Sequence, residues 1–278
     1  MSTYKSFAVI GAGTVGLPIL STLAAQNVSV VLLSRKGVDA SKTLPAGVQV
    51  AIVDYADAAA VAAVFEKYKV DVVISTVASD AVPAQTVLVD AAKSAGVKLF
   101  VPSEFGMTSE AQPHDPKFKV AEHIRNVGLP YALFFNGAFT EFIPHIFPVS
   151  DGKITIVGSG EVPISVTSLG DVAGFVAYVL TTLPPAELEN RIFRLQGDRA
   201  TLKEVAATLN ATVKIVDKIT GPMGELKTYL MTKADTGIMS TGYDVTTKAE
   251  RTGNEAAGSA NSLWPGHQWK TIKDVISA

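Results

Sequence analysis

The chain has 278 residues, is 47% hydrophobic and 18% charged, and carries a formal net charge of -2. A near-neutral balance without a basic block excludes the charge footprint of a nucleic-acid binder, and the lack of cysteine excludes disulfides, thiol nucleophiles and cysteine metal sites. His114, His123, His145 and His267 show no metal-ligand spacing, and no apolar run approaches the ~20 residues of a membrane span.

The first half alternates short β-branched runs with helical stretches. "SFAVIGA" predicts a strand and "GLPILSTLAAQ" a helix. The strands "VSVVLLS" and "VQVAIVD" follow, then the helix "DAAAVAAVFEKY", the strand "VDVVISTV", the helix "PAQTVLVDAAKSAG" and the strand "KLFVPSE". The helix "PKFKVAEHIRNV" and the strand "YALFFNG" complete this half. Apolar runs between amphipathic helices predict a parallel sheet covered on both faces, a doubly wound α/β fold of the Rossmann type. The opening "MSTYKSFAVIGAGTVG" enters its first strand without the pattern of a signal peptide, so a soluble, cytoplasmic protein is expected.

After about residue 150 the rhythm changes. "GKITIVGSGEVPISVTSLGD" predicts strands around the glycine turn at Gly158 and Gly160, and "SLGDVAGFVAYVLTTL" a helix with Ser168 and Asp171 at capping-box spacing. "RIFRLQG" reads as a strand, "TLKEVAATLNATVKIVDKIT" as helix then strand, and the polar stretch 245–262 as loop or poorly ordered. The expected organisation is a dinucleotide-binding domain over residues 1–155 and a smaller, interleaved substrate lobe over 156–278. Within that lobe, about 168–198 would return to the main sheet.

"VIGAGTVGLPIL" places Gly11, Gly13 and Gly16 in GxGxxG spacing, after a strand and opening a helix. Gly11 permits the tight turn, Gly13 lets backbone approach a pyrophosphate, and Gly16 lets helix and strand pack closely. The loop backbone, including Thr14 and Val15, and the helix N-terminus then offer N–H groups to phosphate. The second strand ends "VVLLSRKG": Ser34 stands where an NAD site usually carries a carboxylate, followed by Arg35 and Lys36. A carboxylate would repel a 2′-phosphate, whereas arginine pairs with it, so the cofactor expected is NADP(H).

In "DPKFKVAEHIRNVGLPYAL", Asp115 suits an N-cap and Pro116 the first helical position. Lys117 has Val120, Ala121 and Ile124 at i+3, i+4 and i+7, whereas Lys119 has Glu122, His123 and Asn126. The 3.6-residue period puts Lys117 on the apolar side and Lys119 toward solvent. Burial and the helix dipole would both favour a neutral Lys117 amine, suited to proton exchange. A stem lying along the apolar face with its ammonium in water fits the same pattern. Tyr229 and Lys233 in "YLMTK" have the Tyr-x-x-x-Lys spacing of short-chain dehydrogenases but lie too far along the chain for that role, so they read as coincidence.

The stretches "GAGTVG", "LLSRKG", "VDAAKSAGVKLFVPSEFG" and "KFKVAEHIRNVGLPYALFFNGAF" together resemble the NmrA-like, isoflavone reductase-like branch of atypical short-chain dehydrogenases. Phenylcoumaran benzylic ether reductases and pinoresinol–lariciresinol reductases belong to that branch. The resemblance implies NADPH across the switch point of the sheet, contacted by the glycine loop, Arg35, Thr76, Val77 and Ser103, with Lys117 as acid/base group. It implies Phe105, Asn136 and Phe139 as walls of the nicotinamide and substrate pocket. The chain departs from the reductases in its shorter glycine loop and in its C-terminal third. The function expected is hydride transfer from NADPH to a small, aromatic, phenylpropanoid-like substrate at a carbonyl or quinone-methide carbon, in a monomer or homodimer. The alternative within the same branch is a non-catalytic NADP(H) sensor acting through a protein partner.

Overall fold

The computed structural model of the chain describes residues 3–35, 44–110, 112–147 and 149–276. The first ten elements follow the expected alternation: β1 (Ser6–Ile10), α1 (Gly16–Ala24), β2 (Ser29–Ser34), β3 (Gln49–Ile52), α2 (Ala58–Lys67), β4 (Val72–Ser75), α3 (Gln85–Ser94), β5 (Leu99–Val101), α4 (Pro116–Asn126) and β6 (Ala132–Phe135). β1 to β5 form one parallel sheet in the order β3-β2-β1-β4-β5. The order reverses between β1 and β4, so their carboxyl ends flank the switch point where a doubly wound sheet opens a crevice.

The apolar runs exist because both faces of the inner strands are covered. β4 and β5 are buried at every residue, while the edge strand β3 exposes Val50 and Ile52. Phe65, Phe100, Val120 and Ile124 pack into one core with the inner strands, each buried side chain contributing roughly 1.5–3 kcal/mol. At the amino ends of the strands, Asp71 accepts from the backbone N–H groups of Lys5 (2.9 Å) and Ser6 (3.1 Å) and pairs with Lys98 at 2.7 Å. Burial alone would raise its carboxyl, but these partners outweigh it and hold the group below the usual carboxylate range.

The later elements are β7 (Ala138–Phe139), α5 (Ile143–Ile146), β8 (Val149–Ser150), β9 (Lys153–Val157), β10 (Ile164–Thr167), α6 (Leu169–Thr182), β11 (Arg191–Arg194), β12 (Asp198–Ala200), α7 (Leu202–Thr208), β13 (Thr212–Val216), α8 (Gly224–Asp235), β14 (Tyr243–Asp244), β15 (Ala249–Glu250) and α9 (Ile272–Ile276). β10 lies between β12 and β7, and β9 between β13 and β8. The glycine turn after β9 is held by Asp235, which accepts from the Ser159 hydroxyl (2.6 Å) and from the N–H groups of Ser159 and Gly160. Ser168 caps α6 by accepting the Asp171 N–H at 3.0 Å. The reciprocal half of that capping box is not made, because the Asp171 carboxylate meets His267 (2.9 Å) and the Lys270 N–H (2.9 Å) instead.

One helix of this part differs from the sequence expectation. α8 was not anticipated: it buries only Gly224, Met231 and Ala234, too few for an apolar stripe. The stretch 245–262 is the loop expected, built from turns, the two-residue strand β15 and short 3-10 segments, and anchored where Arg251 donates its N–H to the Gly242 carbonyl and pairs with Asp244 and Glu255.

The structure comprises two compact units. The first contains residues 1–104, 111–134 and 173–192; the second contains 105–110, 135–172 and 193–278. The chain passes between them after residues 104, 110, 134, 172 and 192.

Candidate functional site

The carboxyl ends of β1, β2, β4 and β5 carry most of the residues singled out in the sequence, all in the first unit. Gly11 turns the chain with φ +90° and donates its N–H to the Leu33 carbonyl at 3.1 Å. A Cβ on Gly16 would lie 2.2 Å from the Gly11 carbonyl oxygen and 2.3 Å from Thr76 Oγ1, so this glycine is demanded by packing. Gly13 is different. Its φ is not left-handed, and a Cβ there would meet no described atom within 4 Å. Neither backbone nor packing requires glycine at that position, and the space over it is open. The loop thus fits a pyrophosphate. At the start of α1 no side chain among the described residues caps Val15 and no acidic residue occupies the first turn, but Leu17 and Ile19 donate to the Gly13 and Val15 carbonyls and Pro18 has no N–H, so the N–H groups on offer are those of the loop and of Gly16.

Thr76 fastens the loop. Its hydroxyl donates to the carbonyls of Ile10 (2.9 Å) and Gly11 (3.0 Å), so the side chain is committed to holding the turn. Ser103 donates its hydroxyl to the Val77 carbonyl at 2.9 Å, joining the loops that follow β4 and β5. Arg35 is exposed directly beyond β2, free of any carboxylate partner among the described ion pairs, and Lys36 lies outside the described residues.

α4 begins as expected, with Asp115 accepting the Lys117 N–H at 2.8 Å. Lys117 is half-buried while Lys119 is exposed, and the Lys117 ammonium donates to the backbone carbonyl of Glu104, the residue after Ser103. The ammonium is thereby drawn back to the carboxyl end of β5 instead of reaching away to solvent. The glycine loop, Arg35, Thr76, Ser103 and Lys117 thus bring backbone N–H groups, an exposed guanidinium and a held ammonium to the carboxyl-end side of the sheet.

Two residues at this edge escaped the sequence reading. Tyr55 donates to the Leu33 carbonyl at 2.7 Å, the same oxygen that receives Gly11. Burial pushes its phenol up to about 12, with the nearby Arg35 guanidinium pulling the other way. Gln85, 1% exposed, accepts the Ser103 N–H at 2.8 Å. Its signal was available: it occupies the apolar stripe of α3 with Leu88, Val89 and Ala92.

Phe105, Asn136 and Phe139 belong to the second unit. Phe105 is buried with φ +28°, a region that aromatic residues rarely adopt. The next carbonyl, that of Gly106, accepts the N–H groups of Asn136 (3.1 Å) and Gly137 (3.0 Å), so Phe105 and Asn136 are brought close. Asn136 is fully buried; its Nδ2 donates to the Gly137 carbonyl and its Oδ1 has no partner among the described residues. Phe139 is half-buried and meets Phe142 edge-on at 5.9 Å. The Tyr229–Lys233 pair lies on α8, where the ammonium sits over the ring at 5.5 Å from its centre, a contact with the ring face. Among the described residues no cluster of metal-ligating side chains occurs, and no helix is long and apolar enough to cross a membrane.

The profile of the NmrA-like family matches residues 3–275. The chain belongs to the NmrA-like family. Within reach of this NmrA-like chain, the oxidoreductase BOA1 of Botryotinia fuckeliana is 30% identical over 233 residues, 76% of this chain and 74% of that protein. The phenylcoumaran benzylic ether reductase IRL1 of Ginkgo biloba is 26% identical over 235 residues, 75% of each chain. The solved structure of AtPrR2 with NADP+ and (+)pinoresinol superposes with a TM-score of 0.77 over 100% of both chains at 19% identity, a likeness of fold. The relatives of this NmrA-like protein are thus named as oxidoreductases and reductases, and its fold is one in which NADP+ has been seen bound.

Proposed function

We propose that this protein is an NADP(H)-dependent reductase of a small aromatic substrate, with Lys117 as the group that exchanges a proton with the substrate oxygen. The observation that carries this reading is the Lys117 ammonium, half-buried and held to the Glu104 carbonyl one residue beyond Ser103. A lysine with only a solvation role would extend its ammonium outward; this one is kept at the carboxyl edge of the sheet.

The parts divide as follows. The N–H groups of the glycine loop, up to Gly16 at the start of α1, bind the pyrophosphate, and Arg35 pairs with the 2′-phosphate. Ser103 and Val77 line the crevice beyond β4 and β5. When bound, NADPH supplies the hydride for an electrophilic carbon of the carbonyl or quinone-methide type. The oxygen that gains charge as that carbon is reduced takes its proton from the Lys117 ammonium, leaving a neutral amine that solvent reprotonates. Phe105, Asn136 and Phe139 provide an aromatic and amide lining for the substrate. The names of the relatives support an aromatic, phenylpropanoid-like substrate class.

The test is NADPH consumption by the purified protein on aryl ketones, quinones and phenylpropanoid ethers, with Lys117→Met in parallel. Turnover that falls by about 100-fold or more in the variant is the expected result. Turnover unaffected by Lys117→Met would remove the proton donor, and tight NADPH binding without turnover on any compound would favour the sensor.

A further inference from the structure

Gln85 opens α3 at 1% exposure. A carboxamide so buried is costly unless its donor and acceptor are both used. Here they are: Oε1 accepts the Ser103 N–H at 2.8 Å, and Nε2 donates to the Val82 carbonyl at 3.2 Å. The same two loops are fastened again where the Ser103 hydroxyl donates to Val77, while the Glu104 N–H closes a tight turn onto the Pro102 carbonyl at 2.8 Å. Ser103 is therefore held by its N–H on one side and its hydroxyl on the other. The next carbonyl along the chain, that of Glu104, is the one that receives the Lys117 ammonium.

We propose that Gln85 is a positioning residue for Lys117: by gripping the Ser103 N–H, its buried carboxamide fixes the turn whose Glu104 carbonyl holds the lysine ammonium. The significance for catalysis rests on the reading of Lys117 as proton donor, but the mechanical link stands without it. By hydrogen bonds Gln85 reaches the amine through the Ser103–Glu104 segment, while α3 and the turn before it also pack against α4. The phosphate loop is held by a separate set of bonds, those of Thr76 and Leu33. Loss of the carboxamide should therefore free the amine while leaving cofactor affinity nearly intact. A residue that only filled the core would loosen both or neither.

The link is tested without substrate by competitive acetylation of the intact protein, reading Lys117 against Lys119, its exposed neighbour on the same helix. In Gln85→Met, labelling of Lys117 relative to Lys119 should rise about three- to tenfold, the worth of one hydrogen bond. The dissociation constant for NADPH should stay within about threefold, because the glycine loop and Arg35 are untouched and Ser103 keeps its hydroxyl bond to Val77. An unchanged ratio in a folded variant overturns the proposal, as does an equal rise at both lysines. Hydrogen exchange of the wild-type chain decides the matter even if Gln85→Met does not fold. The Ser103 amide should exchange as slowly as that of Phe100 in β5, and exchange at the rate of an exposed amide overturns the link. Failure of the reductase reading would show instead as absent or Lys117-independent NADPH consumption, leaving the labelling ratio unaffected.

Discussion

Thr76 donates its hydroxyl to the Gly11 carbonyl at 3.0 Å, and these two groups together form the wall against which Gly16 packs. The three glycines of the loop therefore answer to different demands, and substitution should separate them.

Gly16→Ala places a methyl group 2.2 Å from the Gly11 oxygen, so β1 and α1 must move apart. Such overpacking costs about 1–3 kcal/mol, read as a lower denaturant midpoint, and it should weaken NADPH as well. Gly13→Ala meets no described protein atom within 4 Å, so its stability should stay within about 0.5 kcal/mol of wild type. NADPH affinity should nevertheless fall by about tenfold or more as the methyl group intrudes on the pyrophosphate. Calorimetric titration alongside urea unfolding reads both quantities; a Gly13→Ala chain that binds NADPH normally would break the assignment of the loop.

Arg35→Ala should weaken NADPH by about tenfold or more while changing NADH little, since only the former carries the phosphate that a guanidinium recognises. Equal losses for the two dinucleotides would sink this assignment.

Asp71 gives a pH dependence with a definite sign. Its carboxyl is depressed in the folded chain, so its contribution is present above the ordinary carboxylate value of about 4 and is lost as pH falls through the lower folded value. Asp71→Asn should cost about 1–3 kcal/mol at pH 7 through the hydrogen bonds it weakens. The difference from wild type should vanish progressively below pH 4. Urea midpoints measured from pH 7 down to pH 2.5 test this, and a gap that does not narrow between pH 4 and pH 2.5 contradicts it.

Glu110 and Arg194 form an ion pair in which Arg194 is 3% exposed and also donates to the Thr241 carbonyl at 2.7 Å. Glu110→Ala strands a buried guanidinium and should cost about 3–5 kcal/mol. Glu161→Ala removes the exposed partner of Lys203 and should cost at most about 1 kcal/mol. Comparable losses in the two variants, by urea unfolding, would show that burial does not govern these pairs.

The first unit was legible because its strands are apolar on both sides and its joints carry marked residues. Gly11, Gly13 and Gly16 could be placed from spacing, and the contrast between Lys117 and Lys119 followed from helical period alone. Gln85 and Tyr55 were missed because their role depends on partners 18 and 22 positions away. Period can flag a polar residue on an apolar face, but it cannot say which backbone group awaits it. The second unit was harder for a related reason. Its strands are short, and the stretch 245–262 is anchored through Arg251, whose bonds reach Gly242, Asp244 and Glu255. Charge pairs of this kind leave no periodic trace, and α8 turns too little of its surface inward to leave one either.

The interleaving of the two units has a consequence for how the chain is made. The first unit draws on residues 173–192, so a chain emerging from the ribosome cannot complete it when β6 appears. The 57 further residues from 136 to 192, 37 of them destined for the second unit, must be synthesised first, at about 5–20 residues per second. During those seconds the nascent sheet waits for its last pieces with apolar surface uncovered. A fragment ending near residue 155 would remain in that waiting state permanently, and its fate would be set by chaperone capture and proteolysis.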